Sequence, residues 1–422
     1  MHRDPALARP AQAATPRNRD AERSERGLRC IQFGLPYSPN LGDGIISECL
    51  THAVGTVAAG AHVRTLDLSA RRDFGAQVVR NRRQALKLLS HLPQPVRHAL
   101  VTRKLGTILD RAAPHWRAAL AEADLVLIGG GQLFSDADLN FPIKIARAAR
   151  LCQAAGVPVC IYAAGAARNW SAQGRRLFAE VLDTNLVTVG LRDADSCAAW
   201  TEQMDARGPE PVLMRDPGVL AQACYGPVAA DDRVGICVSD PQILRYHGEG
   251  ADASAGFVPL VRTIMSRGHR VRLFCNGAEE DAATLDRVAN SLADDIAAGD
   301  VVCAPVPTRP RDLAHLVAQN AAVVAHRLHA CIVAFSYRRP VVGLGWDRKV
   351  ESFFRSVGMS AAFAPAGTAV DGIADRLQTA LHAGIAPAQA DRVAEEALDG
   401  VRLALAPVMP GTPADTVSAP QG

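Results

Sequence analysis

The chain has 422 residues, more than one hydrophobic core usually serves and about right for two or three domains. With 48% hydrophobic and 21% charged residues it can bury a sizeable core and lacks the polar signature of disorder. A formal charge of +3, from 46 Lys and Arg against 43 acids, excludes a chain built to coat nucleic acid, and no apolar run approaches the roughly 18 residues of a membrane-spanning helix.

Residues 1–27 carry six arginines among Ala, Pro and acids, without the apolar stretch of a secretory signal, so a disordered tail is expected there. Short apolar runs then alternate with stretches of helical period, the pattern of parallel strands joined by crossover helices. In the first half strands are expected at 28–33, 63–68, 125–128, 158–163, 186–191 and 211–214. In the second half they are expected at 233–239, 270–275, 301–303, 321–324 and 340–344. Two strand series imply an α/β protein of two doubly wound, Rossmann-like domains facing a crevice. The break is placed between Asp216-Pro217-Gly218 and Asp232, which gives domains at 28–228 and 229–406. A helix is expected over 391–404, followed by a Pro-, Gly- and Ser-rich flexible tail at 407–422.

Ten cysteines sit at wide, irregular spacings with no Cys-x-x-Cys pair, mostly inside apolar runs such as Val159-Cys160-Ile161. That is the pattern of buried free thiols in a reducing cytoplasm rather than of a disulfide frame or a metal site. Residues 64–104 are strongly basic, with Arg71, Arg72, Arg80, Arg82, Arg83, Lys87, Arg97, Arg103 and Lys104 interleaved with leucines and valines. Such a surface suits anionic lipid head groups or an anionic substrate; the alternative is a solvated Arg-rich helical insertion.

In an open α/β sheet the ligand crevice lies beyond the carboxyl ends of the strands, so the residues after each strand are the ones to inspect. After the first strand comes Asn40-Leu41-Gly42-Asp43-Gly44, where glycines let a ligand approach a helix start. After the third comes Gly129-Gly130-Gly131, with Asp136 close behind; it reads as a sugar or phosphate cradle or as a tight turn without a ligand. After the fifth comes Arg192, placed either to grip a carboxylate or phosphate in the crevice or to pair with Asp193 or Asp195. In the second half Ala321–Ala325 runs into His326-Arg327-Leu328-His329 at a helix start, where the dipole favours anions and suits a histidine to proton exchange near neutral pH. A last strand ends in Trp346-Asp347-Arg348-Lys349, with Asp347 and Lys349 at the mouth and Trp346 able either to stack on a sugar or to wall off the domains.

Asn40-Leu41-Gly42-Asp43, Gly129-Gly130-Gly131 with Asp136, Arg192-Asp193-x-x-Ser196, Asp216-Pro217, Arg327-Leu328-His329-Ala330 and Trp346-Asp347-x-Lys349-Val350 resemble, in order and spacing, the polysaccharide pyruvyl transferase family. The likeness spans residues 28–365 and is most specific in the Arg-Leu-His-Ala block. It implies a glycosyltransferase B-like architecture and transfer of a carboxyethylidene unit from phosphoenolpyruvate to two hydroxyls of one sugar. By the resemblance His329 and Arg192 are catalytic, while Arg327, Leu328, Asn40, Asp43, Gly130, Gly131, Asp136, Asp347 and Lys349 bind substrates. No metal or cofactor is implied. The expected partners are phosphoenolpyruvate and a lipid-linked oligosaccharide or polysaccharide, with a cytoplasmic setting and peripheral contact with the inner face of the membrane. Many members carry Gly-Pro after the fourth strand; here the loop reads Ala164-Gly165-Ala166-Ala167-Arg168-Asn169, which leaves acceptor specificity open. The alternative within this shape is a glycosyltransferase using a nucleotide sugar.

Overall fold

A computed structural model describes residues 26–75, 93–240, 256–346 and 348–409. The expected tails, apart from residues 26–27 and 407–409, lie outside it, as do residues 76–92 of the basic segment and Asp347.

In the first half β1 (Arg29–Gly34), α1 (Leu41–Val57), β2 (His62–Asp67), α2 (Gln94–Leu120), β3 (Leu125–Gly129), α3 (Asn140–Ala155), β4 (Pro158–Ala164), α4 (Ala172–Ala179), β5 (Asn185–Leu191), α5 (Ala194–Gln203) and β6 (Pro211–Leu213) alternate strictly. All pairings are parallel, in the order β2-β1-β3-β4-β5-β6. A 3-10 turn, Pro217–Leu220, and the short α6 (Ala221–Tyr225) lead to the second sheet.

There β7 (Val234–Cys237), α7 (Phe257–Ser266), β8 (Val271–Phe274), α8 (Glu279–Asn290), α9 (Ala293–Ala297), β9 (Val301–Cys303), α10 (Pro310–Ala318), β10 (Ala322–Ala325), α11 (Leu328–Ser336), β11 (Val341–Leu344), α12 (Arg348–Ser356), β12 (Phe363–Ala364) and α13 (Val370–Ala383) follow. The order is β12-β11-β10-β7-β8-β9, again all parallel. The chain closes with α14 (Pro387–Leu405) and a 3-10 turn, Ala406–Val408. Residues 407 and 408, expected in the tail, thus belong to the folded end.

Each sheet reverses its winding once, between β1 and β3 and between β7 and β10, and such switch points open a crevice at the carboxyl edge. One apolar core fills the space between the two sheets. It joins Ile45 and Leu50 of α1 to Phe274, Leu313 and Ile332 of the second domain, and to Val401 of α14. Two further cores cover the outer faces. From α14 the Ala397 carbonyl accepts the Tyr162 hydroxyl at 3.2 Å, so the last helix of the chain is anchored on the first sheet.

Under the loop after β3 the first domain stacks Phe134 against Trp200 (5.0 Å, edge-on) and Phe178 (5.2 Å), and Trp170 donates its indole N–H to the Phe134 carbonyl at 2.8 Å. Aromatic pairs of this geometry add to the large area that each ring buries. Trp200→Ala is expected to cost about 3–5 kcal/mol of unfolding free energy. Urea denaturation checks it, and a loss of unfolding free energy of less than a third of that would mean that the loop is held by other contacts.

Seven of the ten cysteines are buried, Cys197 and Cys224 are half-buried and Cys303 is exposed; all ten are free thiols.

Candidate active site

Helix α1 starts at Asn40, whose Oδ1 accepts the Gly42 N–H at 3.3 Å and also a hydrogen bond from the Asn276 amide at the end of β8. Leu41 N–H donates to the Asn276 carbonyl at 3.2 Å, so this helix start is tied to the second sheet's end. Two glycines in its first turn would ordinarily weaken a helix by about 1 kcal/mol each relative to Ala. Their reason is proximity: a Cβ on Gly44 would lie 2.6 Å from Pro310, and one on Gly42 would lie 2.5 Å from His329 Nδ1 and 2.7 Å from its Cγ. The Asn-Leu-Gly-Asp motif is therefore the seat of the His329 ring.

On its other edge that ring meets Asp216. His329 Nε2 stands 3.6 Å from Asp216 Oδ2, an ion-pair separation slightly beyond hydrogen-bond reach, and neither atom has another protein partner. Asp216 Oδ1 is occupied, accepting the Gly218 N–H at 2.9 Å. Both side chains are nine-tenths buried. Burial alone would push the Asp216 carboxyl up, but His329, the Gly218 N–H and the charge of Arg192 together hold it below the usual carboxylate range. The sign for stability follows. A depressed carboxylate contributes fully above its ordinary value of 3.8, and the contribution is lost as pH falls through the lower folded value.

Arg192 follows β5. Its Nε donates to Asp193 Oδ2 at 3.2 Å and its Nη2 to the Gln132 side chain, while Asp193 Oδ1 caps α5 through the Ser196 N–H at 2.7 Å. Arg192 pairs with Asp193, one of its two expected acidic partners, and it also lines the crevice. Asp195 instead meets Arg355 at 3.4 Å. In the loop that departs from the family pattern, a Cβ on Gly165 would meet Gln132 Oε1 at 2.4 Å and Arg192 Nη2 at 2.8 Å. The guanidinium thus lies against that bare backbone.

Arg192 and Asp216 line a crevice together with Arg215, Leu328, Lys349 and Phe353, among others. Lys349 lies over the Trp346 ring at 4.3 Å. Asp43 stands close to Gly131, 3.6 Å from where a Cβ would be, and lies in the fields of His329 and Lys349. Burial pushes its carboxyl up, and those cations and the Ser38 hydroxyl only partly offset the shift. Gly130 and Gly131 take left-handed φ values of 78° and 74°, which carries the turn past Ile46 of α1.

Two of the expected binding residues have their polar atoms engaged elsewhere. Arg327 donates from Nε (3.0 Å) and Nη2 (2.5 Å) to Asp281 Oδ2, and that carboxylate is completely buried. Asp136 Oδ1 accepts the Leu139 N–H at 2.9 Å, and its Oδ2 accepts the Ser171 N–H at 3.0 Å and the Ser171 hydroxyl at 2.6 Å. Asp347 lies outside the described residues. His326, beside Arg327, is buried against Phe257, and burial with the neighbouring guanidinium lowers it to about 3, so it stays neutral. Sequence reasoning gave no role to Asp216, Gln132 or Arg215. The signal for Asp216 was present, since it follows a strand end in an Asp-Pro pair.

The model of one family, polysaccharide pyruvyl transferase, matches residues 40–348, and that span holds both the seat of His329 and its carboxylate partner. The chain belongs to this transferase family. No curated protein matches the sequence. Among solved structures, UDP-bound MnaA of S. aureus is similar at 10% identity and TM-score 0.53, covering 88% of this chain and 91% of its own. A putative UDP-N-acetylglucosamine 2-epimerase of Listeria monocytogenes gives 11%, 0.53, 89% and 94%. The trehalose-6-phosphate synthase OtsA gives 9%, 0.51, 89% and 96%. At such identities they establish the fold alone: the pyruvyl transferase chain has the two-domain glycosyltransferase B-like architecture.

Gly42→Ala tests the seat. Alanine favours helix, yet here its methyl group must displace the imidazole, so we expect lost turnover and no gain in melting temperature. A stabler and fully active variant would contradict the contact.

Proposed function

We propose that this pyruvyl transferase takes the carboxyethylidene unit from phosphoenolpyruvate and sets it as a cyclic ketal on two hydroxyls of one sugar in a lipid-linked or polymeric glycan. The observation that carries the reading is the His329–Asp216 pair, whose carboxylate lines one crevice with Arg192: an imidazole with its counter-charge next to a guanidinium. A binding protein for a sugar or phosphate needs no such pair. The donor and the ketal stand at the same oxidation level, so the chemistry asks for positive charge and a proton rather than a redox group.

Arg192, with the free N–H groups at the Leu328 end of α11, holds the carboxylate and phosphate of the donor. His329 gives its proton to the donor's methylene carbon, which becomes a methyl group, and positive charge develops at the neighbouring carbon. Asp216 balances the imidazolium beforehand and helps the ring regain a proton. A first sugar hydroxyl bonds to the cationic carbon and gives up its proton. Phosphate then leaves with the C–O bonding pair, and the second hydroxyl attacks the renewed cation to close the ring. Of the two hydroxyl protons, one restores His329 and the other departs with phosphate or through Asp43, a carboxyl made more basic by burial. The sum is donor plus diol giving ketal plus inorganic phosphate.

The purified chain, incubated with phosphoenolpyruvate and a lipid-linked or synthetic oligosaccharide, is expected to release phosphate only when both are present. Turnover of a nucleotide sugar without phosphoenolpyruvate would overturn the reading in favour of a glycosyltransferase.

A further inference from the structure

Residues 64–120 hold twelve Lys and Arg against three acids, whereas the rest of the chain holds 34 against 40. The positive charge is therefore local, on a protein that is otherwise acidic. Helix α2 displays part of it in a definite arrangement. Leu109, Ala113, Trp116 and Leu120 are buried against the sheet. The opposite face, at spacings of three, four, seven and eight, presents Val96, Leu100, Arg103, Lys104, Thr107 and Arg111, all exposed. Val96 and Leu100, 46% and 48% exposed, are two of the four exposed large apolar side chains among the described residues. An apolar tip backed by a basic stripe is costly to leave in water and matches an interface that is apolar below and anionic above.

The tip's position gives it meaning. Strands β2 and β3 both run parallel to β1, so the helix that joins them runs the opposite way and starts at the carboxyl edge of the sheet, where the crevice opens. Arg97 fixes that start. Its Nε donates to Asp138 Oδ1 at 2.7 Å, with His98 Nε2 at 3.8 Å from the same oxygen, and Asp138 belongs to the loop that begins with Gly130 and Gly131. Val96 and Leu100 thus project from the rim of the first domain, joined by the Arg97–Asp138 ion pair to the loop whose Gln132 holds Arg192 of the crevice lining.

We infer that the exposed face of α2 docks on an anionic lipid surface: Val96 and Leu100 enter the head-group layer, and Arg103, Lys104 and Arg111 lie over lipid phosphates. The mouth of the crevice then faces the bilayer. The inference rests on charge, exposure and placement rather than on the reaction, so the two can fail separately.

Flotation of the full chain with vesicles at physiological salt tests it. Binding is expected to vesicles of phosphatidylcholine mixed with phosphatidylglycerol and not to phosphatidylcholine alone. The double change Arg103→Glu with Lys104→Glu should lower the partition coefficient by about tenfold or more. Val96→Ser with Leu100→Ser should also weaken binding, because the apolar tip contributes. Both variants should keep the parent melting temperature and the parent rate of phosphate release with a soluble oligosaccharide. Failure of the parent chain to prefer anionic vesicles, or parent-like binding by the charge-reversed variant, would overturn the inference. So would binding that is indifferent to the Val96 and Leu100 changes and is competed fully by dextran sulfate, the result expected of a groove for a soluble polyanion.

Discussion

Replacing His329 by Ala is expected to lower turnover about a hundred- to ten-thousandfold while donor affinity stays near that of the parent chain. The expectation comes from position. The ring is seated on Gly42, its Nε2 faces Asp216, and no histidine among the residues that line the crevice can take its place. Removing it leaves Arg192 and the helix start, the groups proposed to hold the donor's anionic groups. Phosphate release under saturating phosphoenolpyruvate measures the loss, and isothermal titration measures the binding. Parent-like turnover would remove the imidazole from the mechanism. A large loss of binding with little change at saturation would make His329 a donor ligand instead. Asp216→Asn should show a smaller loss of the same kind, since the ring would keep its seat but lose its counter-charge.

Arg192→Ala should instead act on binding, raising the dissociation constant for phosphoenolpyruvate about 10- to 100-fold, the usual scale for one charge-assisted hydrogen-bonding group. The side chain is only 6% exposed, and Asp193 and Gln132 direct it along the crevice wall. Its removal also takes away a charge that helps to keep Asp216 ionised, so turnover should fall as well, by less than in the His329 variant. Arg192→Lys should recover part of the affinity, since charge returns without the planar fork. If alanine left affinity unchanged while melting temperature fell, Arg192 would be a structural partner of Asp193 and no more.

Much of the fold was legible because parallel strands buried on both faces leave short apolar runs that stop at glycine or a polar residue. Leu125–Gly129 and Val301–Cys303 stand where those runs stand, and the crossover helices fill the gaps. The strand Phe363–Ala364 was missed because two residues carry no periodicity. Helix α14 starts at Pro387 rather than at 391; a proline at the first helical turn is compatible with helix, and the apolar pattern emerges only later.

At the candidate site, strand ends pointed to loops that the structure partly brings together: the turn at 40–43 meets His329, and Arg192, Leu328 and Lys349 line one crevice. What each polar atom does there was not legible, because partners arrive from distant parts of the chain. Arg327 meets Asp281, 46 residues away, and Asp136 meets Ser171, 35 residues away. The partner of His329 is Asp216, 113 residues earlier; the short strand before it was expected at 211–214, but nothing in that segment shows which distant side chain the carboxylate meets. The role of Gly42 was equally hidden, because a close approach between two domains leaves no trace in either segment alone.

The most direct test of the central claim, that His329 hands a proton to the donor's methylene carbon, is isotopic. Turnover in deuterated water, with the ketal product examined by mass spectrometry and proton NMR, should yield a methyl group that carries one deuterium, and the His329→Ala chain should not form it at a comparable rate. A methyl group without deuterium from solvent, or equal labelling by the His329→Ala chain, would contradict the account.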